Sequence, residues 1–181
     1  MEYSNKIANL QDYKMGYLHE NIEMVVYTVV SFFIPIVLGH PQYVVGVVVN
    51  ALLIIAALNL RGYKLLPVIL APSLGALSAG LLFGKFTIFL LYLAPFIWIG
   101  NAILVFAFKW LKLGKKLNYI WTLIIGSGAK SLFLFGSAFL LFKIGVVPVM
   151  FLTAMGIIQL LTALGGGVFA YGVQAAKRKL T

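Results

Sequence analysis

Lys130 stands deep inside a long apolar run, in Gly126-Ser127-Gly128-Ala129-Lys130-Ser131, about ten residues from either end of it. All four carboxylates of the chain, Glu2, Asp12, Glu20 and Glu23, come much earlier. An ammonium so placed must lose its proton, bond to carbonyls and hydroxyls, or meet a bound anion. Two readings follow. Lys130 contacts an acidic or carbonyl group of a bound solute, or it is a structural lysine held by carbonyls and hydroxyls or reaching water along a crevice.

Three carboxamides, Asn50, Asn101 and Gln159, lie at intermediate depth in other apolar runs. An amide offers donors and acceptors together, which suits recognition of a polar small molecule. Trp98 and Tyr92, and Tyr43 on an earlier run, supply aromatic walls for such a pocket. Taken singly, each amide also serves as glue between helices. Together with Lys130 they predict a pocket in which Lys130 contacts the solute's acidic or carbonyl group. Asn50, Asn101 and Gln159 then bond its polar edge, and Trp98 or Tyr92 stacks on it.

Other chemistries are disfavoured. The run around Lys130 has a superficial likeness to a phosphate loop, but Ala129 occupies the place of the required glycine and no strand precedes it. His19 and His40 are the only histidines and neither belongs to a zinc-binding array with a carboxylate, so no metal site is expected. Cysteine is absent, which removes thiolate ligands and thiol nucleophiles. Proton relays in membranes rest on Asp, Glu or His, and the later runs have none. The expectation is a protein that is not an enzyme, has no catalytic residue and needs no cofactor.

These residues must be positioned by membrane helices. With 62% hydrophobic side chains and a mean hydropathy of +1.05, the chain exceeds what a water-soluble core could hide. A helix needs roughly 20 apolar residues to cross the hydrocarbon. Six such runs are read at 22–38, 42–60, 65–83, 88–108, 119–142 and 148–173, predicting an all-α polytopic membrane protein with six transmembrane helices in one bundle. Segment 1–21 precedes the bundle and a basic tail, 174–181, follows it.

Charge supplies the orientation. Lys6, Lys14, Arg61, Lys64, the group Lys109, Lys112, Lys115 and Lys116, and the tail's Lys177, Arg178 and Lys179 fall in alternate gaps; the other gaps hold Lys85 and Lys143. Basic loops stay cytoplasmic, so both termini are predicted inside the cell; a bacterial or archaeal plasma membrane is the expected location. The net charge of +10 then belongs beside anionic lipid headgroups, and no nucleic-acid partner is expected.

Smaller features complete the reading. Tyr3, Ile7, Leu10, Tyr13 and Tyr17 fall at helical spacing, either along one face of an interfacial helix or in a loosely ordered tail. Glu23, at the mouth of the first span, is expected to be solvated. The basic linker from Lys109 to Asn118 is the internal candidate for touching a partner protein, or a set of lipid anchors. Trp110 and Trp121 read as interfacial anchors. In the third span the pairs Gly75/Ala79 and Ala76/Gly80 let another helix approach closely, which predicts burial in helix contacts.

The length, the six spans, and the runs Ala71-Pro72-Ser73-Leu74-Gly75-Ala76, Pro95-Phe96-Ile97-Trp98-Ile99-Gly100-Asn101 and Met155-Gly156-Ile157-Ile158-Gln159 together resemble the substrate-binding S components of energy-coupling factor transporters. That resemblance implies capture of a vitamin or related micronutrient from outside. It also implies docking on a transmembrane coupling protein driven by cytoplasmic ATPase subunits. The first span lacks the AxxxA pattern that S components often use for docking, and the first outer loop is short. Two other classes stand beside it: a structural or accessory membrane protein without a small-molecule site, and a stand-alone channel or facilitator.

Overall fold

A computed structural model describes residues 2–12, 16–39, 41–80 and 84–180; Tyr13, Lys14 and His40 lie outside them, as does the predicted end of the third span at 81–83. The described residues form helices α1 (Glu2–Ala8), α2 (Tyr17–Leu38), α3 (Gln42–Asn59), α4 (Leu65–Ala79), α5 (Thr87–Ala107), α6 (Tyr119–Lys143), α7 (Met150–Met155) and α8 (Ile157–Leu180), with no strand among them. Six helical segments are long and apolar enough to cross a membrane, the make-up of a multi-pass membrane protein.

Local chemistry sets the boundaries. The Asn118 side chain accepts from the Ile120 N–H at 2.9 Å and so caps α6. Gly80 ends α4 in the left-handed region at φ 63°, its N–H returning to the Ala76 carbonyl. Pro35, Pro72 and Pro95 sit inside α2, α4 and α5. Membrane helices tolerate such prolines where neighbours satisfy the freed backbone groups. The last span is discontinuous: α7 stops at Met155, and Gly156, with φ −94° and ψ −100°, separates it from α8.

Helix α3 is the most enclosed, buried from Val49 to Leu60 with the exception of the half-buried Leu52. It packs most extensively on α8, where Gly166 lies so close to α3 that a Cβ would stand 2.7 Å from the Val47 carbonyl oxygen. Helix α2 is peripheral, exposing Val25, Val29, Phe33 and Val37, and it packs chiefly on α4. A Cβ on Gly75 would run into the Phe32 carbonyl oxygen, so the small-residue face of α4 finds its neighbour inside this bundle. One apolar cluster gathers around Leu53, Ile54, Leu58 and Phe108, and a second around Leu93, Leu134, Phe151 and Met155. Helix α6 passes from the first at Leu123 to the second at Leu134, with Lys130 between them.

The basic end of the bundle departs from the boundaries read in the sequence. The first long helix begins at Tyr17, five residues before the predicted start at 22, and carries Glu20 and Glu23 within it. The chain after α5 continues as a π-helical segment, Phe108–Gly114, in which Lys109 is wholly buried. Helix α1 stops at Ala8, so the tyrosine spacing of segment 1–21 does not extend as a single helix. Helix α8 continues into the predicted tail as far as Leu180.

Candidate functional site

The Lys130 ammonium donates to the Asn50 amide oxygen at 2.6 Å and to the Asn101 amide oxygen at 2.8 Å. Exposure of these side chains is 2%, 1% and 1%, so three elements, α3, α5 and α6, each bring one buried polar group to one point. An ammonium can only donate, which forces both amide oxygens toward it and both amide nitrogens away. The nitrogens find carbonyls: Asn50 donates to Gly46 at 2.8 Å on its own helix, and Asn101 to Ile69 at 3.0 Å on α4. The Asn50 nitrogen also lies 3.3 Å from the Thr162 hydroxyl on α8. No carboxylate is involved, and the described residues take two of the three N–H groups of Lys130.

Lys130, Asn50, Asn101 and Gln159 all line one cavity of about 90 Å³, which extends to Pro35 and Gln42 at the end of the bundle opposite the basic residues. Gln159 enters from the first turn of α8, directly after the Gly156 break, and among the described residues no hydrogen bond engages its side-chain amide. The break is pinned by Ser131, whose hydroxyl donates to the Gly156 carbonyl at 2.7 Å. Ser131 is the neighbour of Lys130, so α6 both presents the cation and positions the start of α8.

The aromatic residues separate. Trp98 is half-buried behind the cavity wall: its indole N–H donates to the Ser73 hydroxyl at 2.5 Å, and Ser73 lines the cavity. Tyr92 is 53% exposed on the outer surface of α5 and Tyr43 is 61% exposed on α3; neither lines the cavity. The geometry therefore brings together the ammonium and the three carboxamides, with Trp98 one hydrogen bond away and Tyr92 apart.

A second polar assembly, at the basic end, was not anticipated. Glu20 is wholly buried and accepts from the Arg61 backbone N–H at 2.8 Å, from the Arg61 guanidinium at 2.9 Å and from Lys64 at 3.0 Å. Beside that carboxylate the Arg61 guanidinium is held above its ordinary pKa. Glu23, expected to be solvated, is instead a half-buried acceptor: Tyr27 donates to it at 2.7 Å, Asn59 at 3.0 Å, and Lys177 pairs with it. The last carbonyls of α3, which a helix end leaves without partners, are met one by one. The Asp12 N–H donates to Leu58 at 2.9 Å, the Gln11 amide to Asn59 at 2.6 Å, and Lys109 to Leu60 at 2.5 Å and also to the Leu10 carbonyl. The sequence signal for this assembly was the acidic pair at Glu20 and Glu23 entering the first apolar run.

Comparison with protein-family models, with curated proteins and with solved structures gave no match.

Proposed function

We propose that this chain is a membrane-embedded, non-enzymatic binding subunit that captures a vitamin-like or other small polar or anionic solute. Its uptake is then energised by a separate coupling protein and ATPase subunits, as the resemblance to S components implies. The observation that carries the reading is the convergence of Lys130, Asn50, Asn101 and Gln159 on a single cavity. That cavity leads to the end of the bundle away from the basic residues. With the basic end placed in the cytoplasm by the charge rule, the mouth at Pro35 and Gln42 faces outward. The third N–H of Lys130 and the amide of Gln159 remain to receive a solute, and with no carboxylate beyond Glu23 the counter-charge comes from outside the chain.

Size narrows the solute. A volume of about 90 Å³ holds a few water molecules at roughly 30 Å³ each, or a carboxylate-sized anion. Pockets for larger ligands run from about 300 Å³ upward. A vitamin-like solute therefore requires the cavity to widen on binding. Native mass spectrometry of gently extracted protein tests the proposal: a tightly held small molecule, weakened by Lys130→Met, is the expected result. Unchanged affinity in Lys130→Met together with higher stability overturns it.

The rival reading, an accessory membrane protein without a small-molecule site, draws on one feature of the same geometry. Two amide oxygens already satisfy much of the ammonium and tie three helices together. Absence of any retained solute, with companion subunits still bound, favours that reading.

A further inference from the structure

Helices α6 and α8 run antiparallel and are fastened together near the basic end. The Tyr119 hydroxyl donates to the Gly167 carbonyl at 2.7 Å, and the rings of Tyr119 and Tyr171 lie 5.0 Å apart. Leu123 covers Gly167 so closely that a Cβ there would stand 2.1 Å from it. Along this seam runs a groove of about 510 Å³ whose walls include Lys112, Asn118, Ile120, Leu123, Val168 and Tyr171. Sites for small molecules begin at about 300 Å³, so the groove has room for more than a few waters.

The groove is sorted along its length. Asn118 stands at the start of α6, and Leu123 is five residues, about 7.5 Å, further into the bundle. On α8 Tyr171 lies three residues, about 4.5 Å, nearer the basic end than Val168. Polar groups therefore gather at the boundary and apolar ones below it, with the exposed Trp121 beside them as an interfacial marker. Ile120 and Val168 are 64% and 70% exposed, so the groove opens sideways onto the flank that faces hydrocarbon.

The polar end offers donors. The Asn118 oxygen is occupied by the Ile120 N–H, which leaves its amide nitrogen to donate outward. Neither the partly exposed Lys112 ammonium nor the Tyr171 hydroxyl has a hydrogen-bond partner among the described residues. No carboxylate lines the groove. Its natural occupant is thus an anion carried on an apolar chain. A protein helix, about 10 Å across, is too wide for a furrow between two helices in contact, whereas a single acyl chain follows it.

We infer that this groove binds a phospholipid of the phosphatidylglycerol type, with a phosphate and no cation in its headgroup. One acyl chain lies along Ile120, Leu123 and Val168, and the phosphate meets Lys112, with the Asn118 amide and the Tyr171 hydroxyl as further donors. A choline headgroup brings a cation for which the groove has no counter-charge, so the site selects by net headgroup charge. The inference is independent of the solute cavity around Lys130, which extends to the other end of the bundle.

The test is lipid retention by the delipidated, purified full chain, read by native mass spectrometry with phosphatidylglycerol and phosphatidylcholine of matched acyl chains. Phosphatidylglycerol should be retained about fivefold more strongly, which is what one lysine is worth beside an anionic headgroup. Lys112→Gln should remove that preference, while Lys115→Gln, at an exposed position outside the groove, should leave it nearly unchanged. Val168→Trp fills the groove without disturbing a buried contact and should weaken retention of both lipids. Equal retention of the two lipids by the unaltered protein overturns the inference. Equal effects of Lys112→Gln and Lys115→Gln also overturn it, since they mark diffuse attraction by the basic end. So does full retention in Val168→Trp, or displacement of the lipid by an equal concentration of glycerophosphoglycerol, which has the headgroup without the chains. If a variant fails to fold, the lipid pair and the displacement on the unaltered protein decide.

Discussion

Lys130 on α6 donates to the amide oxygen of Asn50 on α3 at 2.6 Å, and neither side chain is more than 2% exposed. The contact joins a group that only donates to an amide whose nitrogen is already committed to the Gly46 carbonyl, so the amide is held with its oxygen toward the ammonium. Removing Asn50 alone leaves a buried cation with half its acceptors; removing Lys130 alone leaves two amide oxygens facing each other across a void. A double-mutant cycle with Lys130→Met and Asn50→Leu should therefore give a coupling energy of about 1.5–3 kcal/mol. Denaturant unfolding in detergent measures it. Strict additivity would show that the ammonium is held by something other than this amide.

Gly75 and Gly128 offer a matched pair for helix packing. A Cβ at Gly75 meets the backbone carbonyl of Phe32, which cannot swing aside, whereas nothing lies within 4 Å of the Cβ position at Gly128. Gly75→Ala should push α2 off α4 and destabilise by about 1–3 kcal/mol. Gly128→Ala should be neutral or stabilising by up to about 1 kcal/mol, because alanine is the better helix former. Thermal unfolding of the two variants side by side checks the contrast. Equal melting temperatures would remove the close α2–α4 contact.

The parts of the fold legible in the sequence were those governed by one variable at a time. Apolar run length placed the spans to within a few residues, and the lone lysine in Gly126-Ser127-Gly128-Ala129-Lys130-Ser131 marked the buried cation because nothing else ionisable lay near it in the chain. Facing directions were harder. Tyr92 and Asn101 are nine positions apart on α5, which at about 100° per residue puts them on opposite sides; helical arithmetic alone separates Tyr92 from the site, while Trp98, three positions from Asn101, stays adjacent. The assembly at the basic end was hidden for another reason. Counting lysines and arginines by gap treats them as interchangeable, yet Lys64 is buried and Arg61 half-exposed on one shared acceptor, Glu20, while the buried Lys109 bonds backbone carbonyls instead.

Glu20 and Glu23 are three residues apart on one helix, and burial ranks them. The Glu20 side chain is 1% exposed and Lys64 5%, so Glu20→Gln strands a buried ammonium that has few other acceptors. A loss of about 3–5 kcal/mol is expected. The Glu23–Lys177 pair is more open, at 20% and 32%, and Lys177→Ala should cost no more than about 1 kcal/mol. Raising the salt concentration should shrink the effect of Lys177→Ala and leave that of Glu20→Gln nearly intact, because exposed pairs are screened and buried ones are not. Unfolding at low and high ionic strength provides the readout. Similar losses for both variants would contradict the ranking.

Lys109 closes the end of α3. Its ammonium is fully buried, bonded to the carbonyls of Leu60 and Leu10, and therefore links the helix terminus to the segment that follows α1. That segment repays the link by capping two further carbonyls of α3 through the Asp12 N–H and the Gln11 side chain. A cation at a helix C-terminus also meets the negative end of its dipole. Lys109→Met keeps the bulk of the side chain but removes every donor, so the connection between residues 9–12 and α3 should loosen while the membrane core around Leu53 and Ile54 stays closed. Hydrogen exchange resolves this locally: the Asp12 amide, which donates to Leu58, should exchange at least about tenfold faster, the equivalent of about 1.4 kcal/mol of local opening. Lys115→Met, at an exposed position six residues after Lys109, alters none of these bonds and should leave Asp12 protected. If the Asp12 amide exchanges at the same rate in both variants, the cap is maintained by Gln11 and the backbone alone, and the burial of Lys109 has to be explained by packing of its aliphatic stem.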